Sequence, residues 1–222
     1  MKKRIITFTC IAIASLVVSQ QSIAHSLNHI CVNSSKEQRH PFIFDIYQPD
    51  WFIVQTSGKF GFNNQLGEEV VQPKYDHIDY FGVYRDDWAL VKLNGKFGFI
   101  NKKGEEVVAP IYDEIQHFSV YLDKWALVKK GNKYGFIDTK GELAVDTDYD
   151  EIDFFGIYLD NWARVKRSGK YGFINTRGIE VVAPQYDNIE MFGIHHEKWA
   201  RVKIGSNYGF INNKGKEVVS PK

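Results

Sequence analysis

Apolar and polar positions alternate in short runs along most of this chain, and turn residues separate the runs at close, regular intervals. Within residues 78–114 the segment Trp88-Ala-Leu-Val-Lys92 is short and apolar and is followed by Asn94-Gly95, a strong hairpin signal. Lys96 to Asn101 alternates as a second strand, Lys102-Lys103-Gly104 makes the next turn, and Glu105 to Ala109 forms a third strand ended by Pro110. A fourth run, Tyr112 to Phe118, crosses into the following unit and leads through a Gly- or Ser-containing turn to the next tryptophan. Beyond the first residues nothing has the period of a helix.

The same pattern recurs at a strict step. All five tryptophans, Trp51, Trp88, Trp125, Trp162 and Trp199, lie 37 residues apart. Gly61, Gly98, Gly135, Gly172 and Gly209 keep the step, each preceded by Phe or Tyr and followed by Phe, and Gly67, Gly104, Gly141, Gly178 and Gly215 form a second column. The pairs Tyr75-Asp76, Tyr112-Asp113, Tyr149-Asp150 and Tyr186-Asp187 recur with isoleucine two places on. No copy has gained or lost a residue, which predicts loops that touch neighbouring units, because free surface loops tolerate length changes.

These features predict an all-β chain, a tandem array of five 37-residue antiparallel β-meander repeats, arranged as a closed propeller-like ring or an open β-solenoid. Phe44 aligns with Phe81, Phe118, Phe155 and Phe192, and the run Phe42 to Tyr47 is placed to complete the last blade. Phe42-Ile43-Phe44 and Val218-Val219 would be exposed edges in an open array, which favours closure. A glycine in mid-strand weakens the strand, so Gly98 and its equivalents imply close approach of a ring or backbone, with the recurring tryptophan the natural candidate. Burying one tryptophan removes ~150–250 Å² from water, worth roughly 4–6 kcal/mol before entropy, so the tryptophan and first glycine columns are expected to form the repeat core.

The N-terminus changes the compartment. Lys2, Lys3 and Arg4, the apolar stretch Ile5 to Val18 and the small residues of Ser22-Ile23-Ala24 have the layout of an export signal. The expected organisation is a signal peptide over residues 1–24, a polar leader over 25–40 and the repeat domain over 41–222. The apolar stretch is shorter than the roughly 20 residues of a spanning helix, so no stable membrane insertion is expected and the location is periplasmic or secreted. Losing Lys2, Lys3 and Arg4 from 28 basic residues leaves 25 against 27 acidic ones, a near-neutral balance with no nucleic-acid footprint. Cys31 is then the lone cysteine, leaving only an intermolecular disulfide open to it.

Motifs for nucleophilic catalysis, metal binding or nucleotide binding are absent, so neither catalytic residues nor cofactors nor a metal are expected. Asp76, Asp113, Asp150 and Asp187 recur at one position, as a turn or strand-cap role produces and acid/base catalysis does not. Two departures from the repeat stand out: Asp146-Thr147-Asp148 beside Glu142, read as a solvated acidic edge, and the neighbouring imidazoles of His195-His196. Adjacent strand residues point to opposite faces, which disfavours joint chelation by the histidines. Tyr84, Tyr121 and Tyr158, with His195 and His196, are the candidate binding surface.

The run Gly95-Lys96-Phe97-Gly98-Phe99-Ile100-Asn101, then Gly104, Val107-Val108-Ala109-Pro110 and Tyr112-Asp113, resembles the bacterial WG (Trp-Gly) repeat family, over residues from about 41 to the end. The tryptophan that names the family is replaced here by Phe60, Phe97, Tyr134, Tyr171 or Tyr208, and this chain's tryptophans sit earlier in the unit. The resemblance implies the architecture and brings no catalytic residue or cofactor. The expected role is an exported, non-catalytic binding or scaffold protein with a protein partner. A cell-wall or glycan binder using exposed aromatics is the alternative, suggested by a looser similarity to cell-wall-binding hairpin repeats; an enzyme with an unrecognised site ranks below both.

Overall fold

The computed structural model describes residues 50–222. The expected signal peptide, leader, Cys31 and the run Phe42 to Tyr47 lie outside the described residues. Among the described residues nineteen strands form five antiparallel sheets. The first sheet is β1 (Trp51–Thr56), β2 (Lys59–Asn64) and β3 (Glu69–Tyr75). The second is β4 (His77–Ile78), β5 (Trp88–Leu93), β6 (Lys96–Asn101) and β7 (Glu106–Tyr112), and the third is β8 (Glu114–Ile115), β9 (Ala126–Lys130), β10 (Lys133–Ile137) and β11 (Leu143–Tyr149). The fourth comprises β12 (Glu151–Ile152), β13 (Trp162–Arg167), β14 (Lys170–Asn175) and β15 (Glu180–Tyr186). Last come β16 (Asn188–Ile189), β17 (Trp199–Ile204), β18 (Asn207–Asn212) and β19 (Glu217–Val219).

Two boundaries differ from the sequence expectation. The third strand of the unit does not stop at Pro110; β7 runs through it to Tyr112. It lies at the sheet edge, where the missing N–H of proline breaks no ladder, and it bulges: Phe97 pairs with Tyr112 but Phe99 pairs with Val108. The fourth strand is only the two residues Glu114–Ile115, since Tyr112 is used by the third.

Each of the three middle sheets is buried between two neighbours, because both faces of its strands are apolar. On β5, Ala89 and Val91 point with Ile100 into a core shared with Phe62, Val71 and Tyr75 of the preceding sheet. Trp88, Leu90 and Phe99 point the other way, into a core shared with Ala126, Val128 and Ile137 of the following sheet. Two further cores join the third to the fourth sheet and the fourth to the fifth. Among the described residues no buried side chain is polar or charged.

Glycine serves this stacking twice. A Cβ on Gly98 would stand 2.6 Å from the backbone nitrogen of Pro110 and 2.8 Å from the carbonyl carbon of Ala109, so the bulged edge strand crosses directly over it. The close neighbour is thus backbone; the Trp88 ring packs instead on Phe99, at 5.4 Å between centroids, and edge-on to Phe118 of the next sheet at 5.9 Å. In the second column, Gly141 sits in the left-handed region (φ 85°) and a Cβ there would lie 2.5 Å from the Val107 carbonyl of the preceding sheet. Gly104, Gly178 and Gly215 make the same close approach to the sheet before them.

That inter-sheet contact occurs four times and is not made a fifth time between the last sheet and the first. Gly67 meets nothing within 4 Å, and Val219 is 46% exposed where Val71, Val108 and Val182 are 4% exposed. Phe52 and Asn63 also stand in the first sheet where the others carry an alanine and an isoleucine that are fully buried. Among the described residues the sheets thus stack in series without this contact between the last and the first, and the run Phe42 to Tyr47, on which the expected closure depends, lies outside them.

Candidate functional site

The aspartate column is built into the joints between units. Asp113 accepts from the Lys96 ammonium of its own unit's second strand and, at 2.7 Å, from the backbone N–H of Gly131 in the next hairpin turn. Asp76, Asp150 and Asp187 do the same with Lys59 and Gly95, Lys133 and Gly169, and Lys170 and Gly205. In each the lysine, and after it the turn N–H, holds the carboxyl below its ordinary range. A carboxyl so depressed contributes stability that is present above its unfolded value and is lost as pH falls through the folded one. Asp113→Asn should therefore melt below the parent at neutral pH, and the gap in Tm should close as pH falls below ~4. A gap that stays constant down to acid pH would show that the charge contributes nothing.

Tyrosines of the same motif brace the joints from the other side. The hydroxyl of Tyr75 donates to Glu106 at 2.8 Å, that of Tyr149 to Glu180 at 2.7 Å and that of Tyr186 to Glu217 at 2.6 Å. Burial first, then the facing carboxylate, raises the pKa of all three. One column escaped the sequence reading altogether. Asn101 closes the β6–β7 turn by accepting from the N–H of Lys103 and Glu105 through its side chain, and Asn64, Asp138, Asn175 and Asn212 repeat this. Its signal was an Asn or Asp three places before each glycine of the second column.

Both departures from the repeat find local partners. Asp148 and Glu180 share Arg167, at 3.2 and 2.6 Å, beside a groove of about 350 Å³ between the third and fourth sheets. The two histidines face different neighbours. His195 hydrogen-bonds Glu190 at 2.9 Å and lies edge-on to Phe210, whereas His196 stacks on Trp199 at 4.3 Å. Both lie on the face of the last sheet that carries Trp199, against which no other sheet packs among the described residues. Among the described residues no three metal-ligating side chains converge.

The corner loops, 79–87, 116–124, 153–161 and 190–198, join each short strand to the next tryptophan strand. Tyr84, Tyr121 and Tyr158 sit here, partly buried and already engaged. Tyr84 lies edge-on to Phe99 and stacks on His117 at 4.2 Å; Tyr121 lies edge-on to Phe136 and stacks on Phe154 at 4.1 Å. Tyr158 meets Phe173 and carries the Arg164 guanidinium 4.6 Å from its centroid. The residue just before each of these positions is the exposed one. Val83 is 40% exposed, Val120 49%, Ile157 46% and Ile194 62%, so every corner presents one β-branched aliphatic side chain to solvent. The stacks of Tyr84 on His117 and Tyr121 on Phe154 link adjacent corners, and Phe154 and Met191, each 47% exposed, extend the row. A polar residue would suit a solvated loop, so the recurrence of an exposed aliphatic at one position of four successive units is the surface feature that stands out.

A family profile described as WG containing repeat matches this chain at residues 60–97, 97–134, 134–171, 171–208 and 208–222. No curated protein sequence matches it significantly. Among solved structures it is similar to the crystal structure of the eukaryotic initiation factor, with 12% identity and a TM-score of 0.34 over 83% of this chain and 55% of that one. It is also similar to the crystal structure of Kluyvelomyces marxianus Hsv2, with 11% identity and a TM-score of 0.27 over 77% of this chain and 57% of that one. The chain thus spans little more than half the length of either.

Proposed function

The chain belongs to the WG containing repeat family, and from that premise we propose that it is an exported, non-catalytic binding protein whose corner loops dock a protein partner. The observation that carries the proposal is the exposed aliphatic series Val83, Val120, Ile157 and Ile194, repeated at one position of four successive units. Protein surfaces of this type, apolar and bordered by polar groups, gain most from burial against another protein. The recurrent carboxylates support a non-catalytic reading, because Asp76, Asp113, Asp150 and Asp187 are each held by a lysine in a joint and are not poised in contrasting environments. Export rests on the N-terminal signal pattern. The tyrosine faces a glycan would stack on are engaged by neighbouring rings or Arg164, which leaves the aliphatic row as the better surface.

A pull-down from cell-envelope extract, with folded parent protein and with Val120→Asp/Ile157→Asp, tests this. The parent is expected to retain a partner that the variant loses. Repeated failure of the folded parent to retain anything, or equal retention by the variant, would overturn it.

A further inference from the structure

Every interior joint has two halves, and the two end sheets carry one unmatched half each. A Cβ on Gly104, Gly141, Gly178 or Gly215 would come within 2.4–3.0 Å of the carbonyl oxygen of Val70, Val107, Ala144 or Val181 in the sheet before it. The next position in the second series is Val218, which is 40% exposed. The glycine with nothing within 4 Å is Gly67, which holds the same left-handed backbone (φ 81°). The face of the last sheet at this end is continuous. Strand register sets Arg201 opposite Phe210 and Phe210 opposite Val219, and the Trp199 ring lies 5.9 Å from that of Phe210. Tyr208, opposite Lys203 on the same face, is 49% exposed, whereas its counterparts Phe97 and Tyr171 pack against interior cores.

Charge adds to the match. Lys74 reaches across the first joint to Glu106 of the second sheet, at 2.8 Å. Its column reads Lys74, Ile111, Asp148, Gln185 and Lys222, so lysine returns only in the last unit. Pro221 crosses over Gly209 there as Pro73 crosses over Gly61, which sets Lys222 at the place that Lys74 holds in the first unit. Glu69 holds the position of Glu106 at the other end, and both Glu69 and Lys222 are exposed.

We infer that copies of this chain join head to tail, the Trp199 face of one on the first sheet of the next, in a fifth joint of the kind formed four times within each chain. Gly67 of one copy lies over the Val218 carbonyl of the other. Val54, at the position of the fully buried Val91, packs toward Phe210, and Glu69 pairs with Lys222. Among the described residues these two faces of a single chain do not meet, which makes a second copy the occupant. The first sheet departs from the interior pattern at one cross-strand pair: Phe52 faces Asn63 where Ala89 faces Ile100 and Ala200 faces Ile211. One bulky and one small residue stay opposite each other with a polar group added, as suits contact between finished chains, which is more polar than a folding core. Because head and tail differ, each joined pair keeps one free face at either end, and assembly continues until a ring closes or a filament grows.

Sedimentation velocity of the purified protein over a wide concentration range tests this, and the parent's mass is expected to rise with concentration beyond that of one chain. Val219→Asp spoils only the tail face and Asn63→Lys only the head face; both side chains are at least partly exposed, and an unchanged thermal melt in dilute solution verifies each fold. Each variant alone should need roughly tenfold more protein to associate. Mixed in equal amounts, the two should form pairs and nothing larger, since one intact tail meets one intact head. Where either substitution lowers the melt, the exposed charges decide: Glu69→Lys and Lys222→Glu should each weaken association by about threefold at low salt, and the double variant should recover it. No change across that series would overturn the inference. A parent that stays one chain at every concentration would also overturn it, and a melt lowered by Val219→Asp in that single chain would give the face to the chain's own residues. Mixed variants that fail to pair, or a variant that associates as the parent does, would place self-association on another surface and overturn it equally.

Discussion

Gly135→Ala is expected to destabilise the protein by about 3 kcal/mol or more, although it adds a single methyl group. The new Cβ would lie 2.5 Å from the Val145 carbonyl oxygen and 2.7 Å from the Asp146 carbonyl carbon. Both atoms are backbone of the bulged edge strand β11, so no side chain can rotate away and the strand itself must lift. Lifting it would disturb Val145, which is 5% exposed and packs in the core shared with the fourth sheet. The control is Gly131→Ala, four residues earlier in the hairpin turn. Gly131 has φ 61° and nothing within 4 Å of its Cβ position, so its cost is the left-handed backbone alone, about 1–2 kcal/mol. Urea unfolding of the two variants measures the difference. Equal losses would mean that the edge strand yields easily and that the crossing is not what demands glycine.

The glycine column illustrates how far the sequence could be read. Its existence, its step and the need for some close neighbour were all legible, since a mid-strand glycine has few other uses. The identity of the neighbour was not legible, because it depends on a bulge in β7 and its counterparts, and bulges leave no local pattern in side-chain alternation. Pro110 was read as the end of a strand for the same reason: only the sheet order places it on an edge where its missing N–H costs nothing. Tyr84, Tyr121 and Tyr158 were legible as a periodic surface feature, but their neighbours His117, Phe154 and Arg164 lie in other units or on other strands. The exposed residues proved to be the aliphatics just before them, Val83, Val120 and Ile157. Alternation alone would have buried those side chains, and it fails in a loop with left-handed residues such as Gly82, Ser119 and Gly156.

The largest contrast between equivalent residues is expected at the tryptophans. Trp162 is 9% exposed, packs on Phe173 at 5.4 Å and meets Phe192 of the following sheet at 6.0 Å. Trp162→Ala removes both contacts and opens a cavity between two sheets, with an expected loss of about 3–5 kcal/mol. Among the described residues no following sheet packs on Trp199; His196 stacks on it and Phe210 lies 5.9 Å away. Its removal leaves a gap that solvent fills, so Trp199→Ala should cost about 2 kcal/mol or less. Because each sheet contacts chiefly its neighbours, the two losses should also differ in reach. Damage between the fourth and fifth sheets severs the last unit from the array, whereas damage on the outer face loosens the last unit alone. Thermal melts followed by tryptophan fluorescence would separate the cases: a broadened or split transition for Trp162→Ala, and a slightly shifted single transition for Trp199→Ala. Identical losses from the two substitutions would mean that the indole acts within its own sheet, and that inter-sheet burial is not what fixes it at every unit.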